Sequence, residues 1–114
     1  MPIKRNEFIG KDEKIMVCES VYVSRKCDCL CDCTVTDKYV HLLDTTTGDV
    51  RITGIKEIED LSMNLVDLKG AQWYIVCFTN SCSSTELIFR NEPDSQKIAK
   101  MFAKAIKKGM DAYR

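Results

Sequence analysis

Apolar and polar residues alternate along most of the chain with a period of two, the spacing of a β-strand with one face turned inward. Ile15 to Val23 places Val17, Val21 and Val23 on one face and Met16, Cys18 and Tyr22 on the other, followed by a Ser24-Arg25-Lys26 connection. Cys27 to Thr36 alternates strictly, with Cys27, Cys29, Cys31, Cys33 and Val35 set against Asp28, Leu30, Asp32, Thr34 and Thr36. Asp37-Lys38 predicts a tight turn into a third strand, Tyr39 to Leu43, and the Asp, Thr and Gly residues of 44–49 predict another turn before a fourth, Val50 to Thr53. Ile55, Ile58 and Leu61 have a helix-compatible spacing, but Gly54 and the β-rich surroundings favour a bent strand that runs to a reversal at Leu68-Lys69-Gly70. Gln72 to Thr79 and Thr85 to Arg90 predict a hairpin joined by a polar loop at 80–84.

Beyond Arg90 the period changes. Ile98, Met101, Phe102, Ala105 and Ile106 share one helical face, while Lys97, Lys100, Lys104 and Lys107 occupy the other. Pro93 and Asp94 suit the start of that helix, and Lys107-Lys108-Gly109 suits its end. A meander of seven short strands must curl and cover its open end, and a terminal amphipathic helix meets that need. The expected fold is therefore mostly β with one C-terminal α-helix: a seven-stranded antiparallel, partly open barrel capped by the helix. Residues 1–13 are expected to form a polar lead-in and residues 14–112 a single domain. Val35, Val40, Leu42, Ile75, Phe89, Ile98, Phe102 and Ile106 are expected to share its core.

Charge narrows the partners. Seventeen basic and seventeen acidic residues, with a pI of about 6.6, leave no net field to attract nucleic acid or an anionic membrane. No stretch reaches the roughly 20 apolar residues of a membrane helix, and the N-terminal residues lack an apolar signal core. Seven cysteines form an odd set without the spacings of a secreted disulfide scaffold. A cytoplasmic protein with free thiols is the resulting expectation.

The row Cys27-Asp28-Cys29-Leu30-Cys31-Asp32-Cys33 invites a metal site, since thiolate is a soft and strong ligand. In a regular strand, same-face side chains two residues apart stand about 6.6 Å apart. Tetrahedral zinc needs its sulfurs within about 4 Å of one another. The row is therefore expected to be reduced, buried and apolar in character, with the metal site as the alternative and Cys82 as the most reactive thiol. His41, the sole histidine, has no nucleophile placed beside it by a motif and is expected on a strand surface. Asp28 and Asp32 would lie about 13 Å apart on a strand, beyond the span of about 5 to 9.5 Å that paired glycosidase carboxylates need. Phosphate-cradling glycine loops are missing, so no catalysis and no cofactor is expected. The lysine stripe of the helix lacks interleaved aromatic residues, which argues against nucleic acid.

The run from Thr34 to Asp44 resembles the strand-turn-strand signature of pleckstrin-homology-like and GRAM-type domains. The hairpin of Trp73 to Phe78 and Glu86 to Phe89, followed by Pro93 to Met110, resembles that superfamily's last strands and capping helix. The resemblance covers roughly residues 14 to 112 and implies a non-catalytic binding or adaptor module. It also implies a phosphoinositide site beginning at Arg25 and Lys26; independently of the resemblance, the helix stripe of Lys97, Lys100, Lys104, Lys107 and Lys108 offers further candidates for contact with phosphates or an acidic membrane surface, with a solvated helix face as the preferred reading. The chain departs from that pattern, because Cys27, Asp28, Cys29 and Asp32 stand where more basic residues would be needed, and their carboxylates repel phosphate. A protein or peptide partner is therefore preferred. An anionic lipid headgroup is the alternative, a cysteine-based metal or redox sensor comes third, and a homo-oligomer formed through a strand edge would look the same as the first.

Overall fold

In the computed structural model, which describes residues 10, 12–26, 29–68, 70–90 and 93–113, each alternating segment pairs antiparallel with at least one neighbour in sequence, while the fourth and fifth do not pair with each other. The strands are β1 (Ile15–Tyr22), β2 (Leu30–Thr36), β3 (Tyr39–Asp44), β4 (Val50–Gly54), β5 (Asp60–Leu68), β6 (Ala71–Thr79) and β7 (Ser84–Arg90), and one helix, α1 (Ser95–Ala112), closes the chain. They form one sheet in the order β4-β3-β2-β1-β7-β6-β5. Two meanders, β1–β4 and β5–β7, are joined within the sheet, among the described residues, by the pairing of Tyr22 with Ile88, and the sheet forms an open half-barrel with β4 and β5 as its edges.

Turn chemistry sets the registers. Asp44 Oδ1 accepts the backbone N–H groups of Thr46 and Thr47, and Gly48 takes the positive φ of 81° that ends the β3–β4 turn. Gly70 does the same for β5–β6 at φ 77°. In the β6–β7 loop, Asn80 Oδ1 accepts the N–H groups of Cys82 and Ser83.

The concave face and the helix share the main core. Val35, Val40, Leu42, Phe89, Phe102 and Ile106 are buried there as expected, together with Val21, Cys33, Val76, Phe78 and Leu87. Burying each large side chain contributes about 1.5–3 kcal/mol, and Phe89 stacks obliquely on Phe102 with ring centroids 5.1 Å apart. Ile98 packs against this core half-buried. Ile75 does not join it: period two places it with Trp73, opposite Tyr74 and Val76, in a second cluster with Ile88, Tyr22, Val66 and Leu68. The Trp73 Nε1–H donates to Leu68 O at 3.2 Å, satisfying the indole.

Three local expectations are corrected. The segment after Gly54 is not a bent strand but a single 3-10 turn, Ile55–Glu57, before β5 begins at Asp60. Met101 is 45% exposed, whereas Ala99 and Met110 line the buried face of the helix. Gly109 does not stop the helix, which continues to Ala112. Its missing side chain instead admits the 3-10 turn: a Cβ there would stand 2.8 Å from Ile55 Cγ2.

Candidate functional site

The residues singled out from sequence fall in three places. Arg25 and Lys26 lie exposed in the β1–β2 connection. Arg25 grips Glu86 of β7 through two parallel bonds, Nε to Oε1 at 3.0 Å and Nη2 to Oε2 at 2.8 Å. Those bonds raise the Arg25 pKa and lower that of Glu86. The Lys26 N–H donates to Ser24 Oγ at 3.2 Å. Lys97, Lys100 and Lys104 project from the exposed side of α1, where they line a shallow surface groove with Gln96 and Met101.

His41 is not on the surface. It is 5% exposed on the outer face of β3, beside Thr34 and Thr36 of β2. Glu13 lies over this face. Its Oε1 accepts from His41 Nε2 at 2.8 Å and from Thr36 Oγ1 at 2.8 Å, and the Glu13 and His41 side chains are each less than a tenth exposed. Because a carboxylate only accepts, Nε2 carries the proton, and Nδ1 is left buried without a partner among the described residues. Burial pushes the Glu13 carboxyl up, but hydrogen bonds from His41, the Gly10 N–H and Thr36 more than offset that and hold it below the usual range. Lys14 exchanges bonds with Asp37, and Lys38 pairs with Asp12 at 2.7 Å. The end of the expected lead-in is therefore stitched onto the β2–β3 hairpin.

The cysteine row does not behave as one strand face. Cys27 and Asp28 lie outside the described residues, and β2 begins only at Leu30. Cys33 is fully buried, which drives its thiol pKa well up, and Cys31 is buried too. Cys29, just before the strand, turns back so that its Sγ lies 3.9 Å from Cys31 Sγ, well inside the strand spacing. The Cys29 thiol donates to Asp44 Oδ2 at 3.4 Å, and Asp44 is the direct cross-strand partner of Cys31. Burial and the neighbouring Cys29 and Asp44 push the Cys31 thiol up to about 12, so alone it is an inert thiol rather than a nucleophile. These groups line a cavity of about 230 Å³ with Leu42 and Arg51. Asp44 was legible in principle, because the turn at Asp37-Lys38 pairs Val35 with Val40 and the count then reaches Cys31 opposite Asp44. Glu13 carried no such signal, since its partners are 23 and 28 residues away.

The longest unpaired feature is the outer edge of β5. Its nine residues pair with β6 along their whole length, while among the described residues no strand pairs with the other side. Leu61 to Val66 carries no charge and no proline, the devices that usually block such an edge, and Leu65 is 48% exposed. Leu61 and Met63 pack half-buried against the core. No helix is long and apolar enough to cross a membrane among the described residues. Comparison of the sequence with known protein families and with curated proteins finds no match.

Proposed function

We propose that this chain is a non-catalytic binding module of pleckstrin-homology type, working in the cytoplasm, and that it captures an extended peptide segment of a partner protein by strand addition to β5. The observation that carries this reading is the open nine-residue edge with its uncharged centre. An added strand would satisfy the free main-chain groups of that edge, and every second side chain would face the same way as Leu61, Met63 and Leu65. The occupant is therefore an extended segment with apolar residues at alternating positions. A headgroup clamp at Arg25 is disfavoured by its two-bond engagement with Glu86.

The test selects random linear peptides against the immobilised chain and maps the winners on the isotope-labelled protein. Amide shifts along Asp60–Leu68 are expected, together with loss of binding in the Ser62→Lys, Asn64→Lys double variant, whose two sites are exposed. Winners that shift only the Lys97 to Lys104 region, or that bind the double variant unchanged, would remove β5 as the site. Concentration-dependent self-association lost in the same variant would make a second copy of the chain the occupant instead.

A further inference from the structure

The geometry points to a zinc-class metal site built from Cys29 Sγ, Cys31 Sγ and Asp44 Oδ2 at the β4 end of the half-barrel. It lies in the meander that does not contain β5 and does not depend on peptide binding there. The three ligand atoms lie within 4.8 Å of one another. Tetrahedral zinc with bonds of about 2.3 Å to sulfur and about 2.1 Å to oxygen needs S···S near about 3.8 Å and S···O near about 3.6 Å. The observed Cys29–Cys31 and Cys29–Asp44 separations are 3.9 and 3.4 Å, so two of the three edges of the ligand triangle already have the required length.

The surroundings favour a site over a chance approach. Asp44 is held from behind, because its Oδ1 accepts two backbone N–H groups of the turn and leaves Oδ2 aimed at the sulfurs. Cys31 is fixed by the β2–β3 ladder directly opposite Asp44, and Cys29 lies where the chain has left the strand and its sulfur can fold back. The donor set selects the metal class: two thiolates reject calcium and magnesium and prefer zinc or another soft cation. For the ligand set the charge count closes, two thiolates and one carboxylate against a divalent cation and the guanidinium of Arg51 on the same cavity, and the exposed Asp49 carboxylate leaves the whole lining one negative charge in excess. Binding releases the two thiol protons to solvent as the two metal–sulfur bonds form. The fourth position faces the cavity and is left to water or an external ligand, as in zinc sites with three protein ligands.

The test is cobalt(II) titration of the reduced chain, followed by zinc competition against a chromophoric chelator. One cobalt per chain is expected, with thiolate-to-cobalt charge-transfer absorption and the intense visible bands of a tetrahedral ion. Cys29→Ser and Asp44→Asn should each weaken zinc by at least about 10-fold, the lower bound for altering even an outer-shell partner of a metal. Asp44→Asn keeps the carbonyl that caps the turn, and Cys29→Ser keeps the Cys29 backbone carbonyl that accepts from Val23 N–H at 3.3 Å, so circular dichroism of both variants should match the parent. Cys82→Ser, in the exposed β6–β7 loop, should bind as the parent does. Absence of saturable binding, a pale octahedral spectrum, or parental affinity in Cys29→Ser would overturn the assignment.

Discussion

Replacing Gly109 by alanine should destabilise the fold although it improves the helix, and the sign should reverse when Ile55 is truncated. Alanine in a helix interior is favoured over glycine by about 0.8–1.0 kcal/mol. Against this, the added Cβ would meet Ile55 Cγ2 at 2.8 Å, Ile55 Cδ1 at 3.0 Å and the Asp37 carbonyl at 3.4 Å. Ile55 is fully buried and its backbone is tied down at both ends, with its N–H bonded to Lys38 O at 2.9 Å and its O accepting from Ile58 at 3.1 Å. Overpacking of this kind costs about 1–3 kcal/mol, so Gly109→Ala should lose about 1 kcal/mol net. Ile55→Ala alone should cost about 2–5 kcal/mol through the cavity it leaves. In that background the two closest contacts of the methyl added at position 109 are gone and the Asp37 carbonyl at 3.4 Å is an ordinary van der Waals neighbour, so Gly109→Ala should stabilise by up to about 1 kcal/mol. Urea denaturation of the four proteins in a double-mutant cycle, with unchanged m-values, reads both signs. Equal effects of Gly109→Ala in the two backgrounds would show that the helix and the 3-10 turn are not in contact, and the account of Gly109 would fail.

Other consequences follow from the buried groups. The Glu13 carboxyl is held below its ordinary value of 4.5 in the folded state, so its contribution is present above that pH and is lost as pH falls through the lower folded value. Glu13→Gln should therefore flatten the acid limb of the stability curve, and an acid limb identical to the parent's would contradict the docking of Glu13 on His41. In the metal-free chain without denaturant, a thiol reagent should modify exposed Cys82 rapidly, while Cys31 and Cys33 react only through unfolding. Rapid labelling of Cys33 would exclude its burial. A chain ending before Pro93 loses Phe102 and Ile106 from the main core and should show no cooperative melting transition. A retained transition would mean that the sheet does not need its helix.

Seven strands and a terminal helix were legible because each rests on a local pattern. Period two is visible within the five to nine residues of each strand, and Thr36, Asp44 and Asn80 at the turns bond backbone N–H groups two or three residues on. What escaped the sequence rests on contacts distant along the chain. Ile55 looked like part of a strand until the approach of Gly109 gave it a reason to turn, and that glycine looked like a helix stop for want of its partner. His41 looked like a surface residue because alternation shows only which side of a strand faces the barrel, not what lies across the other side. For Cys29 the spacing argument assumed a strand that begins one residue too late to hold it. Of the basic residues, sequence could place Arg25 in a turn but not foresee Glu86, 61 residues on, as its partner.

Hydrogen exchange of the β5 amides, with and without a peptide selected against the chain, addresses the central proposal most directly. Every second amide of Asp60–Leu68, those facing away from β6, should exchange readily in the free chain and become protected when the peptide binds, while the amides facing β6 change little. If the peptide binds tightly and the outward β5 amides remain as unprotected as before, the edge of β5 is not where this protein meets its partner.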